Sequence, residues 1–401
     1  VTPALRNAAV LGGWPGGVSP PFPMANLPAT CHETVRFASV IIAGSEGRGC
    51  MTKRIAVVPG DGIGPEVIAA GLEVIERVNE ARKLGLELVH FGWNADEYLR
   101  TGISMPPGAM DDIRNNYAAV YLGAFGDPRV PDMKHAADIL LGMRFQLDLY
   151  VNYRPVKLLN DDLSPLKAKG KKEIDFVIFR ENTEGAYVGM GGIFKKGTPD
   201  EMAVQEDVSS RKGVERITRY AFEYAKKTGR KSVCMSDKNN VMRFGGDLWL
   251  RTFEEVALEY PGIEHFHMFV DALTMQMVRA PEMFDVIVTN NMFGDIVTDL
   301  GAALQGGLGV AASGNIHPGR VSLFEPIHGS APKYAGKDVA NPIGAILTAA
   351  MMLDYLGYSE EAELIEKAVI ATIDAGETTH DIGGPLGTRA AGAAVVKRLE
   401  L

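Results

Sequence analysis

Cysteine is scarce in this sequence: only Cys31, Cys50 and Cys234 occur among 401 residues. Three thiols cannot build a disulfide framework, so a reducing, cytoplasmic setting is expected. No stretch approaches the ~18 consecutive apolar residues of a membrane-spanning helix. Positive charge is also short, with 41 Lys and Arg against 50 Asp and Glu, a net charge of −9. An acidic surface does not draw nucleic acid or anionic membranes, and neither is expected as a partner. Internal repeats and low-complexity tracts are absent after Met51. What remains is 46% hydrophobic and 23% charged, an ordinary globular composition on a chain long enough for two domains.

Residues 1–50 are of another kind. Clusters such as GGWPGG and SPPFP, without sustained periodicity, predict a disordered extension. The segment is poor in acids and carries a few arginines, which also suits an organellar transit peptide. The functional chain is expected to begin at Met51.

The stretch FDVIVTNNMFGDIVTDL, residues 284–300, organises the rest. Its β-branched start, 284–289, predicts a buried strand, and Asn-Asn with Gly marks a turn before a helix from about Asp295. Asp295 and Asp299 then share one helix face, about 5–6 Å apart at Cβ. A divalent cation held between them and a third oxygen ligand relieves their repulsion. The pair reads as half of a Mg²⁺ or Mn²⁺ site, against the plainer reading of two solvated acids.

Residues 54–58 read as a strand, followed by the glycine loop PGDGIGPE and an amphipathic helix with Val67, Ala70, Val74 and Val78 inward. Such a unit suits a ligand phosphate or ribose near the loop. It is not the dinucleotide fingerprint, because Pro65 follows Gly60, Gly62 and Gly64 where a helix glycine is needed. Helices are expected over 95–101 and 109–115, and a strand over 118–122. Residues 136–149 have helical spacing and carry Arg144 among apolar neighbours. Arg154 precedes Pro155, and Arg180 ends the strand that begins at Phe176. Three arginines at element ends can converge, and planar bidentate donors suit a di- or tricarboxylate.

After a helix over 208–227, a strand over 231–236 ends in DKNN, where Lys238 is a candidate general base. In HFHMFVDAL a strand leads to Asp271 among apolar residues, a carboxylate for which a metal would be the charge partner. His265 and His267 alternate along that strand and read as structural. The Gly- and Pro-rich stretch 323–342 is a loop of functional length. Helices are expected over 343–356, 360–375 and 389–399.

Taken in order, GDGIGPE, MRFQLDLYVNYRP, FRENTEGAY, SDKNN, VDA, FGDIVTD and FEPIHGSAP resemble the β-decarboxylating dehydrogenases, which include isopropylmalate, isocitrate, homoisocitrate and tartrate enzymes. The resemblance runs from Met51 to Leu401. It implies an α/β fold of two domains with mixed sheets and an interdomain cleft, not the Rossmann fold. Residues 51–149 and 306–401 would form the first, cofactor domain, and 150–305 the second, substrate and dimerisation domain. It implies a homodimer with shared sites, in which Lys238 and Asp271 meet Asp295 and Asp299 across the interface.

The same resemblance implies roles. Arg144, Arg154 and Arg180 would hold substrate carboxylates. Asp271, Asp295 and Asp299 would hold Mg²⁺ or Mn²⁺, Lys238 would take the hydroxyl proton, and Tyr187 would protonate the enolate. The loop of Gly60, Asp61, Gly62, Ile63 and Gly64 would bind NAD, as would Glu325, His328, Gly329, Ser330, Ala331, Pro332 and Asn341. Where NAD-dependent members carry an Asp after HGSAP, this chain has Lys333 and Tyr334, the pair found in NADP-using isocitrate enzymes, so NADP use is also expected. Ile139, Leu140 and Leu141, just before Arg144, offer an apolar surface that suits an alkyl group, which favours isopropylmalate over isocitrate or tartrate. A non-catalytic, metabolite-binding regulatory subunit of the family would lack the base, the acid or a metal ligand, and here all are present.

Overall fold

Alternating strands and helices build one large mixed sheet with helices packed on it, as a βαβ sequence pattern dictates. The computed structural model describes residues 52–401. The extension expected over 1–50 lies outside the described residues, as do Cys31 and Cys50. The strands are β1 (Lys53–Val58), β2 (Leu86–His90), β3 (Ala119–Leu122), β4 (Val151–Lys157), β5 (Asp175–Glu181), β6 (Gly191–Phe194), β7 (Met202–Gln205), β8 (Ser232–Asp237), β9 (Glu264–Phe269), β10 (Val286–Thr289), β11 (Ala312–Ile316) and β12 (Ser322–Pro326).

Ten of them form one sheet in the order β2-β1-β3-β12-β11-β4-β5-β10-β8-β9. The first five come from the two segments expected to make the first domain, and the last five from residues 150–305. The halves meet where β11 pairs antiparallel with β4, across only Gly314–Tyr153, Asn315–Asn152 and Ile316–Val151. The outer pairs on both sides are parallel. Their strands are buried β-branched runs such as β1 and β10, as parallel strands covered on both faces require.

The helix Gly64–Arg82 buries Val67, Ala70, Val74 and Val78, as its periodicity predicts. Several elements differ from the reading of the sequence. The helix bearing the two aspartates runs Asn291–Leu304 and starts four residues before Asp295, because the Asn290 side chain accepts from the Phe293 N–H and caps it there. Residues 134–146 are continuous helix but not all α: Lys134–Ala136 and Gly142–Gln146 flank a π-helical turn at Ala137–Leu141. Arg154 lies inside β4, not at an element end. Asp271 lies in the first turn of the helix Val270–Arg279. Strands β2, β4 and β11, the hairpin β6–β7 and the helix Arg243–Ala257 were not anticipated, and buried strand β12 occupies the start of the stretch 323–342 that reads as a loop. No helix among the described residues is long and apolar enough to cross a membrane.

Candidate active site

The seam between the sheet halves is polar. Asn152 and Asn315 face each other across it, both fully buried. Asn315 Oδ1 accepts from Asn152 Nδ2 at 3.0 Å and from Asn182 Nδ2 at 2.9 Å, and Asn315 Nδ2 donates to Glu325 Oε1 at 2.8 Å. Arg154 Nε donates to Asn152 Oδ1 at 3.0 Å. On the other side, Arg144 Nη2 reaches Glu325 Oε1 at 3.3 Å. The network therefore fixes two of the three predicted arginines from strands of both halves, and each keeps a buried N–H without a protein partner: Arg154 Nη1 and Arg144 Nε.

Arg180 is 1% exposed and belongs to the same cluster. Its Nε donates to Asn291 Oδ1 at 2.9 Å, its Nη1 pairs with Asp295, and its guanidinium lies over the Tyr187 ring. Burial, then the charges of Arg180 and Arg144, pull the Arg154 guanidinium down to about 10. Burial and Arg144 likewise lower Arg180, against the pull of Asp295. Close cations with unpaired, buried donors make a site for a multivalent anion.

Asp295 stands at the rim of this cluster, half-exposed, and its second oxygen accepts from the Tyr187 hydroxyl at 2.8 Å. Burial and that bond raise the Tyr187 phenol above its ordinary value, so it remains a proton donor through neutral pH. Partial enclosure and the Asp295 charge push the Asp299 carboxyl up as well, with Arg154 and Arg180 opposing. Lys238 and Asp271 pair with each other instead, Nζ to Oδ1 at 2.7 Å. Among the described residues, no three His, Cys, Asp or Glu side chains of one chain converge as a metal site.

The predicted cofactor loops pack on one another. Gly60 and Gly62 have φ of +75° and +59°, and a Cβ on Gly62 would fall 1.9 Å from the Ser330 carbonyl oxygen. Ile63 N–H donates to that same oxygen at 2.8 Å, so the glycine loop is built to approach the Ser330 backbone. Gly64 closes against Pro59 and Ala124 in the same way. Asp61 differs from its expected role: its carboxylate points inward, accepting from the N–H groups of Ala95 and Gly126 and bonded to buried His135 at 2.8 Å. Asn341 is also structural, accepting from Ile343 N–H and donating to Asp381. Glu325 faces the arginines, as described above. His328 keeps a buried Nε2 without a partner, and Gly329 has open space beside it. Ala331 and Pro332 lead to Lys333 and Tyr334, which are exposed, with the ammonium 4.7 Å over the ring.

Residues 54–395 match the family model described as isocitrate/isopropylmalate dehydrogenase. The chain belongs to the isocitrate/isopropylmalate dehydrogenase family. Family members with curated names include the 3-isopropylmalate dehydrogenase of Thermobifida fusca, 46% identical over 79% of this chain and 90% of that protein. The 3-isopropylmalate dehydrogenase of Streptomyces coelicolor is 46% identical over 84% of this chain and 98% of its own. Among solved structures, isocitrate dehydrogenase from Methylococcus capsulatus superposes with a TM-score of 0.79 at 36% identity, covering 87% of this chain and all of that one.

Within this family member, the predicted arginines, Tyr187 and Asp295 come together in one chain, whereas Lys238 and Asp271 form a separate pair. Of the substrate-reading residues, Ile139 is fully buried, Leu140 packs partly against the first-half core, and Leu141 is half-buried outside the apolar clusters. Asn152, Asn182, Asn315 and Asn291 were missed. Asn152 and Asn315 lie in β4 and β11, Asn182 directly follows β5 and Asn291 opens the helix of Asp295; once buried, such amides have to be hydrogen-bonded.

Proposed function

We propose that the chain oxidises and decarboxylates 3-isopropylmalate to 4-methyl-2-oxopentanoate and CO₂, reducing NAD or NADP, as an enzyme of leucine biosynthesis. The observation that carries this is the likeness to proteins named 3-isopropylmalate dehydrogenase, joined to an arginine cluster that has Leu141 three residues before Arg144 on continuous helix. The α/β chain divides at the β11–β4 seam into a cofactor domain and a substrate domain with a cleft between them.

Arg144, Arg154 and Arg180 hold the two carboxylates, a role supported by the buried N–H that each of the first two keeps without a protein partner. Leu141, with Leu140, takes the isopropyl group. Asp295 and Asp299 fit a hard divalent cation by their oxygen chemistry, and the third ligand, Asp271, comes from a second copy. A divalent cation held there, Mg²⁺ or Mn²⁺, would supply polarisation of the substrate hydroxyl, and a nicotinamide cofactor would supply the hydride acceptor. Lys238 of that copy takes the hydroxyl proton. Tyr187, kept protonated by burial and Asp295, delivers a proton to the carbon that loses CO₂.

A homodimer is supported by apolar side chains that one chain leaves in water around these residues: Val241 and Phe244 after Lys238, Met275 and Val278 after Asp271, and Ile296 beside Asp295. Phe244 is 95% exposed. The orphan His328 Nε2 and the open face of Gly329 suit the adenosine end of the cofactor, and Lys333 suits a 2′-phosphate. Cys234 is buried as a free thiol, in keeping with a cytoplasmic enzyme. The test is reduction of NAD and of NADP with Mg²⁺, offering 3-isopropylmalate, isocitrate, malate and tartrate side by side. Metal-dependent turnover of isopropylmalate above the others is expected, and a preference for isocitrate or tartrate would overturn the substrate assignment.

A further inference from the structure

We infer that Asp237 and His267 form a positioning pair that sets the Lys238 ammonium against Asp271. The inference rests on the proposed roles of those two residues. Lys238 directly follows β8, and Asp271 lies two residues beyond β9. The two strands are parallel neighbours, with Met235 opposite His267 and Asp237 opposite Phe269. Functional groups at the ends of separate strands share a position only if the strand ends are tied together.

The backbone ladder ties them as far as Asp237 and Phe269, and the Asp237 side chain adds a second tie. Its carboxylate is 4% exposed, and its Oδ1 accepts from His267 Nε2 at 2.7 Å and from the Asn239 N–H at 3.1 Å. The first bond crosses from β8 to β9. The second closes a turn around Lys238 itself, fixing the direction in which the lysine leaves the sheet. Behind the carboxylate, Gly246 of the helix Arg243–Ala257 allows no slack: a Cβ there would lie 3.1 Å from Asp237 Oδ2 and 2.2 Å from Asn239 Cβ.

A second chain of contacts runs through Phe269. The His267 ring stands edge-on to it at 5.1 Å, and the Lys238 ammonium lies 5.8 Å from its centroid. A lysine on a flexible four-carbon stem samples many rotamers. Here the backbone beneath it and the ring beside it are both referenced to His267, and Nζ meets Asp271 at 2.7 Å. Asp237 and His267 touch neither substrate nor cofactor in this reading and act through Lys238.

His267→Leu removes the donor, and His267→Gln returns an N–H at a similar reach. Two readouts are compared in wild type and both variants, each as full-length protein. The first is the rate at which an amine-specific acylating reagent labels Lys238, followed by peptide mass mapping, with Lys333 as the exposed reference. The second is kcat and KM for whichever hydroxy acid the wild type turns over. The Leu variant is expected to label Lys238 several-fold faster with Lys333 unchanged, and to lose about 10- to 100-fold in kcat with KM nearly kept. The Gln variant should recover most of both.

Unchanged Lys238 labelling in the Leu variant would overturn the inference, as would faster labelling of every lysine with a matching fall in melting temperature. Labelling needs no substrate, so it still decides this point if the wild type turns over none of the acids offered. That second result would count against the proposed function alone.

Discussion

Replacing Asn315 by Leu is the most direct probe of the polar seam. The side chain is fully buried and makes three hydrogen bonds, to Asn152, Asn182 and Glu325. Each partner keeps other contacts: Asn152 with Ser313 and Arg154, Asn182 with the Leu149 carbonyl, and Glu325 with Arg144. The cost is therefore that of lost bonds, not of wholly orphaned groups. Two neutral bonds at about 1 kcal/mol each and one to a carboxylate at about 1.5–3 kcal/mol give roughly 3.5–5 kcal/mol. Leucine returns part of this by apolar burial, so a loss of about 3 kcal/mol is expected. Urea unfolding at fixed protein concentration measures it, because an oligomer's midpoint shifts with concentration. Arg154 and Arg144 also lose their common reference, and each ~1.4 kcal/mol of lost substrate binding appears as a tenfold rise in KM. A variant within about 1 kcal/mol of wild type and with unaltered KM would refute the view that the seam holds the arginines.

Other outcomes follow from single sites. Asp299 has a folded-state pKa above its ordinary value, so the fold favours its protonated form; that contribution is present below the ordinary Asp range and is lost as pH rises through the raised value. Metal-free Asp299→Asn should accordingly be more stable than wild type at pH 8, a difference that fades as pH falls towards ~4, while Mg²⁺-dependent activity is lost; equal melting curves at pH 8 would contradict this. Gly62→Ala combines a left-handed backbone with a Cβ placed 1.9 Å from the Ser330 oxygen, and should cost about 2–4 kcal/mol in thermal or urea unfolding. A neutral effect would mean that the two loops do not pack as described. Lys333→Asp should lower the NADP-to-NAD ratio of kcat/KM at least about tenfold; a wild type that already rejects NADP would remove Lys333 as a phosphate ligand.

Much of the site was legible because its chemistry demands particular side chains at the ends of particular strands. Lys238 after the end of β8 and Arg180 near the end of β5 are such cases, since a short buried apolar run that turns polar marks a strand end. Arg154 was found but misplaced: Pro155 suggested an element end, yet β4 continues through both residues. Asp61 was assigned by its motif to the cofactor, whereas its carboxylate ties two other backbone segments and His135 to its own loop. A motif shows that a residue matters, not whether it faces a ligand or the core. The π-helical turn at Ala137–Leu141 and the exposed hairpin β6–β7 have no local signature. The first depends on the packing of Ile139 and Met143, and the second leaves Ile193 and Phe194 exposed.

The order of strands in the sheet also has a consequence for synthesis. All five strands of the second half lie within Val151–Thr289, so this half is complete as a continuous piece of chain. The first half cannot close when its own N-terminal segment emerges, because β12 must enter between β3 and β11. On the ribosome, the middle of the polypeptide is therefore the first part able to finish folding. Residues 52–149 wait with the β3 edge open until Pro326 has been made, an interval of nearly two hundred residues at roughly 5–20 residues per second. During those tens of seconds, an unpaired edge strand is exposed to neighbouring chains, and a chaperone that masks β3 would raise the yield of folded protein.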